Sequence, residues 1–140
     1  MKKLLLILAL LASAPALAQA PLPLSGVELT ATSGTVAAGT AAATLAAASG
    51  KVTYICGFAI TSTGSTGAAV VAPTVTGIVT GTLTFAYASV AGATLSNQPL
   101  IVPFGTCMPA SAPNTAIVVS VPTLGAGNTN TTVNAWGYRR

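Results

Sequence analysis

The chain has 140 residues and carries little charge, with five Lys or Arg residues against one carboxylate and no histidine. Hydrophobic residues make up 52% of it, which is enough for one buried core in a chain of this length. The low number of cationic residues argues against nucleic-acid binding, because such binding needs many Lys and Arg side chains to neutralise phosphates.

The N-terminal stretch predicts a secretory signal peptide in residues 1–18. Two lysines precede the apolar run Leu4–Leu11, and Ala16–Ala18 forms a small-x-small cleavage site. Cleavage after Ala18 is the preferred alternative, and cleavage after Ala20 is the other. A retained membrane anchor is disfavoured, because the apolar run is shorter than the ~20 residues that a spanning helix needs. We therefore expect an exported protein, periplasmic or extracellular, with no membrane span after cleavage.

Residues 19–26 (QAPLPLSG) predict an extended leader, and residues 27–140 predict a single domain. After removal of the signal, the charged residues that remain are Glu28, Lys51, Arg139 and Arg140. Free soluble proteins usually carry a mixture of both charges on their surface. The shortage of charge favours a protein that packs against copies of itself or against a larger particle. A dilute monomer solvated by hydroxyl groups is the alternative.

Eight short strands are predicted in the domain, separated by turns rich in Gly, Pro and Asn. Large and small residues alternate in several of them, which is typical of half-buried strands. Pro103 predicts that its own strand lies at a sheet edge or contains a bulge. The pattern predicts an all-β fold, a single antiparallel β-sandwich of the jelly-roll or immunoglobulin-like type. The predicted strands are Val27–Thr32, Ala42–Ala48, Val52–Thr61, Ala69–Thr76, Thr82–Ala88, Leu100–Phe104, Thr115–Val121 and Thr131–Tyr138.

The sequence lacks the residues that most enzyme sites require. It has no histidine and no aspartate, and Glu28 is its one side-chain carboxylate. Ser-His-Asp and Cys-His sites need a histidine as base, and paired-carboxylate sites need two acids where this chain has one. Metal sites need clusters of His, Cys or carboxylates, and no phosphate-binding motif is present. We therefore expect no enzyme activity, no metal and no cofactor, with a Ser-Lys pair that uses Lys51 as the remaining alternative.

Cys56 and Cys107 are the only two cysteines, and export would place them in an oxidising compartment. Cys56 lies in the middle of a predicted strand, and strict alternation puts it on the same face as Tyr54 and Phe58. The sequence predicts a disulfide between the two cysteines. Two separate buried thiols are the alternative, because the sequence does not place the two Cβ atoms. A reactive thiol is disfavoured, since no neighbouring cation would lower its pKa.

The last predicted strand ends in VNAWGYRR, which puts Asn134, Trp136 and Tyr138 on one face. An aromatic pair beside an asparagine can stack on a sugar, so these residues form a candidate binding surface for a glycan. The favoured alternative is that Trp136 and Tyr138 close the core or an inter-subunit contact. Arg139 and Arg140 are expected to form a solvated tail that stops the strand from pairing further.

Three segments of the domain carry a resemblance to known proteins. They are YICGF (Tyr54–Phe58), PTVTGIVTGTLTFAY (Pro73–Tyr87) and PASAPNTAIVVSVPTLGAGNTNTTVNAWGY (Pro109–Tyr138). In these segments the chain resembles small all-β proteins encoded in bacteriophages and prophages of Gram-negative bacteria. The resemblance implies a role on the virion surface or in assembly, and it supplies no site residue. Phage proteins assembled in the cytoplasm do not normally carry a signal peptide, so a cell-envelope or extracellular role stays open.

These observations predict an exported, non-enzymatic structural or assembly protein. It would self-associate or dock on a larger surface, in a virion or in the cell envelope. The alternative is a secreted carbohydrate- or surface-binding module that uses Asn134, Trp136 and Tyr138.

Overall fold

Two four-stranded antiparallel sheets pack face to face in the computed structural model, which describes residues 26–140. No helix is present in this range, and so none that could cross a membrane. The predicted signal peptide and nearly all of the predicted leader lie outside the described residues. The strands are β1 (Val27–Thr32), β2 (Ala41–Leu45), β3 (Thr53–Ser62), β4 (Ala69–Val71), β5 (Thr74–Ile78), β6 (Gly81–Thr84), β7 (Tyr87–Ser89), β8 (Leu100–Pro109), β9 (Ile117–Val121) and β10 (Thr131–Arg139).

The all-β sandwich is confirmed, but it has ten strands rather than eight because two predicted strands are each divided. Ala69–Thr76 becomes β4 and β5, with Pro73 between them. Proline lacks the N–H that a continuous ladder would need, which is a physical reason for this break. Thr82–Ala88 becomes β6 and β7. The outer pieces, β4 and β7, pair with each other as a separate two-stranded sheet.

Sheet A has the strand order β1-β10-β3-β8, and sheet B has the order β2-β9-β5-β6. β2 packs across the sandwich from β1 and β10, and β9 packs across from β3 and β10. Backbone contacts connect the two sheets on the side that contains β8 and β6. The Val79 N–H donates to the Pro109 carbonyl at 3.0 Å, and Ile78 forms a β-bridge with Ala110. β1 and β2 are the edge strands on the opposite side.

The core is made mainly of aliphatic side chains and contains two buried aromatic residues, Phe58 and Tyr87. β2 and β9 alternate buried and more exposed positions throughout, as half-buried strands do. The Phe58 ring lies 5.0 Å from the Phe85 ring and 6.2 Å from the Phe104 ring, measured between centroids. The fully buried large side chains include Leu45, Ile55, Phe58, Ile60, Val75, Ile78, Ile117, Val119, Val121 and Val133.

A β-bulge in the middle of β3 changes which of its residues face the core. Trp136 pairs with Gly57 and Gly137 pairs with Ile55, so Cys56 is an extra residue opposite this step. Ile55 is buried before the bulge and Phe58 is buried after it, whereas Tyr54 is only half-buried. The expectation that Tyr54 and Phe58 share a face is therefore wrong, because strict alternation does not continue through a bulge.

A buried polar network joins β3 to the connection between β7 and β8. The Tyr87 hydroxyl lies 2.9 Å from Ser62 Oγ. Asn97 donates from Nδ2 to Ser62 Oγ and to the Thr63 carbonyl, and its Oδ1 accepts the Val90 N–H at 2.8 Å. Among residues 26–140, no buried side-chain nitrogen or oxygen lacks a hydrogen-bond partner. The network holds the connection between β7 and β8 in one arrangement against β3, because buried polar groups that are all hydrogen-bonded favour a single packing.

Candidate functional site

The candidate site is the outer face of sheet A, on the side away from the core. The structure places Asn134, Trp136 and Tyr138 on this face, with Asn134 exposed and the two aromatic residues half-buried. The alternate β10 residues face the core and are buried. The strand register adds neighbours from β1, β3 and β8, so the outer face of sheet A includes Glu28, Thr30, Thr32, Tyr54, Ala59, Thr61, Ile101, Pro103, Thr132, Asn134, Trp136 and Tyr138.

Trp136 does not close the core, contrary to one of the sequence alternatives. Its indole lies over Gly57, the residue with which it pairs on β3. A Cβ added at Gly57 would overlap the six-membered ring of the indole and would lie 2.8 Å from the Val102 carbonyl oxygen. The absence of a side chain at Gly57 therefore lets the indole lie close against the sheet.

Tyr138 also belongs to the outer face, where it stacks on Tyr54 of β3. The two rings are 4.6 Å apart between centroids and are inclined by 10°. Tyr138 and Tyr54 are directly paired in the ladder, so the stack follows from the register between β10 and β3. The sequence placed Tyr54 in a different strand and did not indicate this contact.

The C-terminal arginines extend the sheet instead of forming a solvated tail. Arg139 is the last residue of β10, and the Arg140 backbone exchanges two hydrogen bonds with Val52. The Arg140 guanidinium carbon lies 5.4 Å from the Tyr54 ring centroid, within the range of a cation–π contact. Hydrogen bonding and charge interaction with Tyr54 raise the pKa of Arg140 above its ordinary value. The expected tail is wrong for the backbone, because both arginines continue the pairing of β10 with β3 and with Val52, while the Arg140 side chain is exposed.

A shallow groove of about 370 Å³ lies on the outer face of sheet A, over β1 and β10. Its six lining residues are uncharged, and they combine hydroxyl groups, an amide and the indole of Trp136. The volume is near the lower end of the range for small-molecule sites. An uncharged polar ligand with a flat apolar face fits this combination, because hydroxyl and amide groups can orient it while the indole stacks on it. The lining residues are Thr30, Ala31, Thr32, Asn134, Ala135 and Trp136.

The predicted disulfide between Cys56 and Cys107 is confirmed. It links β3 to β8, and the two Cα atoms lie 4.2 Å apart. The pairs Ile55–Met108 and Gly57–Pro103 enclose an irregular segment. Within it, Cys56 is the bulge residue of β3, and residues 104–107 of β8 have no ladder partner. The crosslink therefore holds β8 to β3 where their backbone pairing is interrupted. It is consistent with an oxidising, exported location.

Neither cysteine is a free thiol, since both sulfur atoms are in the crosslink. Within residues 26–140, no group of three or more His, Cys, Asp or Glu side chains lies close enough together to hold a metal ion. Lys51 is exposed just before β3. Among residues 26–140, the outer face of sheet A presents exposed hydroxyl and amide groups beside the indole of Trp136.

The fold and its crosslink define a small, disulfide-bonded antiparallel β-sandwich. Comparison of the chain with protein-family models, with curated protein sequences and with solved structures gives no match.

Proposed function

We propose that this chain is an exported, non-enzymatic β-sandwich that acts by contact, either with copies of itself or with a larger surface in a virion or cell envelope. The observation that carries the proposal is the character of its exposed surface. Four charged side chains are present in residues 26–140, whereas six large hydrophobic residues of the same range are at least 39% exposed. These six are Val27, Val70, Val79, Val90, Leu95 and Ile101.

Single exposed apolar residues are common in proteins and carry no argument by themselves. Their combination with a nearly uncharged surface is less usual, because like charges normally keep exported monomers apart in solution. Ile101, which is 64% exposed, lies beside Pro103 on the outer face of sheet A. Val27, which is 56% exposed, lies at the edge of the same sheet. These two residues lie on opposite edge strands of sheet A, and an association through either edge would remove an apolar side chain from water.

Light scattering coupled to size-exclusion chromatography tests the self-association branch, with the mature chain applied over a wide range of concentrations. We expect a mass above that of the monomer, rising with concentration. Co-sedimentation with isolated bacterial envelopes, or with phage particles produced by the same host, tests the docking branch. A monomer at every concentration that also stays in the supernatant with both particles would refute the proposal.

A second candidate function is that of a secreted glycan-binding module. It is favoured by one observation, the uncharged groove beside Trp136 on the outer face of sheet A. In this reading Trp136 supplies the stacking surface and Asn134 supplies hydrogen bonds, while Tyr138 extends the aromatic surface along β10. The ligand would be a neutral oligosaccharide, since no lining residue carries a charge to pair with an ionic group.

The test is a binding screen of neutral oligosaccharides, read by quenching of the fluorescence of Trp136, the one tryptophan of the chain. Trp136→Ala should abolish binding measured by calorimetry while the domain remains folded. Thr61→Ala, at an exposed position of β3 that does not line the groove, is the matched control and should bind like the wild type. If no neutral oligosaccharide binds the wild type, or if Trp136→Ala binds equally well, the glycan proposal is wrong.

A further inference from the structure

The four edge strands of the sandwich differ in how well they are protected against pairing with another chain. β8 contains Pro103 and Pro109 and an irregular segment, and β6 has only four residues. Prolines, bulges and short length all discourage edge pairing. β1 has none of these features: its six residues pair with β10 in an unbroken register, and the strand contains no proline and one charge, Glu28.

β1 and β2 differ in what another strand would bury. The inward side chains of β2 are already completely covered, at 0–1% exposure. On β1, Leu29 and Ala31 face the core but are only partly buried, and Val27 is 56% exposed. A strand added beside β1 would cover these three apolar side chains, whereas one added beside β2 would cover none of its core residues.

The backbone of β1 shows which groups are available for such pairing. The Ser33 N–H donates to the Val133 carbonyl at 2.9 Å, in the same register that pairs β1 with β10. Backbone groups of successive strand residues point alternately to the two sides. The odd-numbered residues therefore bond to β10. The N–H and C=O groups of Glu28, Thr30 and Thr32 point to the open edge, which no strand of residues 26–140 covers.

We propose that two copies of this chain pair through β1, antiparallel, about a two-fold axis at Thr30. This rests on the proposed self-association and names the surface that carries it. Thr30 then lies opposite Thr30 of the partner subunit, and Glu28 lies opposite Thr32 of the partner subunit. The backbone N–H and C=O groups of Glu28, Thr30 and Thr32 in both strands are then all paired, which makes six backbone hydrogen bonds between the two copies. A register shifted by two residues in either direction would leave some of these groups unpaired.

The side-chain contacts that this register produces are favourable on both faces of the sheet. On the inner side, Leu29 packs beside Ala31 of the partner subunit, so the apolar row continues across the axis. On the outer side, each Glu28 carboxylate faces a threonine, and this avoids the destabilising contact of like charges on opposite residues. A pair of six-residue strands buries less than the roughly 1,000 Å² typical of stable interfaces, so the dimer forms reversibly and depends on concentration.

Thr30→Pro tests the proposal, because it removes the backbone donor at the axis and leaves the bonds to β10 in place. Proline is tolerated on an edge strand where the N–H faces solvent. Sedimentation equilibrium should show the dimer dissociation constant raised about tenfold or more, which corresponds to about 1.4 kcal/mol, with an unchanged monomer fold. Thr30→Val keeps the N–H and the β-branched shape, and it should dimerise like the wild type.

Covalent trapping tests the register. Directly opposite residues of a hydrogen-bonded antiparallel pair have Cα atoms about 5.5 Å apart, which is within the range that a disulfide spans. Thr30→Cys should therefore form a crosslinked dimer under mild oxidation, seen on non-reducing electrophoresis. Thr61→Cys, exposed on the central strand β3, is the matched control and should crosslink much more slowly.

The possible failures are distinguishable. A wild-type chain that is monomeric at all concentrations overturns the β1 pairing. The proposed function is then tested by co-sedimentation with bacterial envelopes and phage particles. A wild-type oligomer that Thr30→Pro leaves unchanged overturns the β1 pairing alone, as does a Thr30→Cys variant that crosslinks no faster than Thr61→Cys. A weakened Thr30→Pro dimer together with rapid Thr30→Cys crosslinking supports it.

Discussion

Removal of the disulfide should destabilise the domain strongly. The perturbation is the double variant Cys56→Ala/Cys107→Ala, which removes both sulfur atoms and leaves no free thiol. The two cysteines are 51 residues apart in the chain, and in the chain-entropy model a closed loop of this length contributes about 4 kcal/mol at 25 °C. A typical domain is stable by only about 5–15 kcal/mol, so the crosslink supplies a large share of the total.

The structure gives two reasons to expect most of this contribution. Cys56 and Cys107 join β3 and β8 where their backbone pairing is interrupted, between the pairs Ile55–Met108 and Gly57–Pro103, so the crosslink holds a part of β8 that has no ladder partner on β3. In addition, β8 is an edge strand with β3 as its only neighbour in the sheet. A loss of about 4 kcal/mol in a domain of this size lowers Tm by about 10–20 °C.

Urea unfolding followed by the fluorescence of Trp136 measures the effect, because the indole lies over Gly57, next to Cys56 in the chain. The free energy of unfolding is measured with and without reductant, for the wild type and for the double variant. Reductant should destabilise the wild type and leave the double variant unchanged. A loss below about 1 kcal/mol in the double variant would refute the reasoning, since it would mean that the crosslink constrains the unfolded chain little.

Two further substitutions test the packing of the outer face and of the buried network. Gly57→Ala should destabilise the domain by about 1–3 kcal/mol and shift the Trp136 emission to longer wavelength, because the new methyl group displaces the indole. Gly105→Ala is its control, and its stability should lie within about 0.5 kcal/mol of wild type, because the added Cβ meets nothing within 4 Å. Equal losses of stability at the two glycines would contradict the contact between Gly57 and the indole. Tyr87→Phe should cost about 1–2 kcal/mol in urea unfolding, because it removes the hydroxyl bonded to Ser62 Oγ. An unchanged midpoint would show that this hydrogen bond adds nothing to stability.

Much of the fold can be predicted from the sequence, because alternation of apolar and polar residues reports which side of a strand faces the core. β1, β9 and β10 lie close to their predicted limits for this reason. The disulfide is also predictable, since two cysteines in a chain that is predicted to be exported leave one intramolecular pairing. Pro73 is a signal for the break between β4 and β5, because a proline N cannot donate to a ladder.

The candidate site was less predictable, since its neighbours come from strands far apart in the chain. The alternation in VNAWGYRR puts Trp136 and Tyr138 on one face but does not say that Tyr54 stacks on Tyr138 or that Thr30 lies beside Trp136. Both contacts depend on the register of β10 against β3 and β1. The bulge at Cys56 depends on tertiary pairing as well, because it is defined by the residues opposite it.

The two candidate functions share β1 but use different parts of it. The Thr30 side chain lines the groove beside Trp136, whereas the Thr30 backbone points to the open edge where the partner subunit would pair. Pairing about an axis at Thr30 would place two grooves next to each other on one continuous outer face. A ligand that spans both grooves would bind with an avidity above that of a single groove. Trp136→Ala, which changes no backbone group on the free edge of β1, would then remove ligand binding and leave the dimer in place, so the two functions can be separated in one chain.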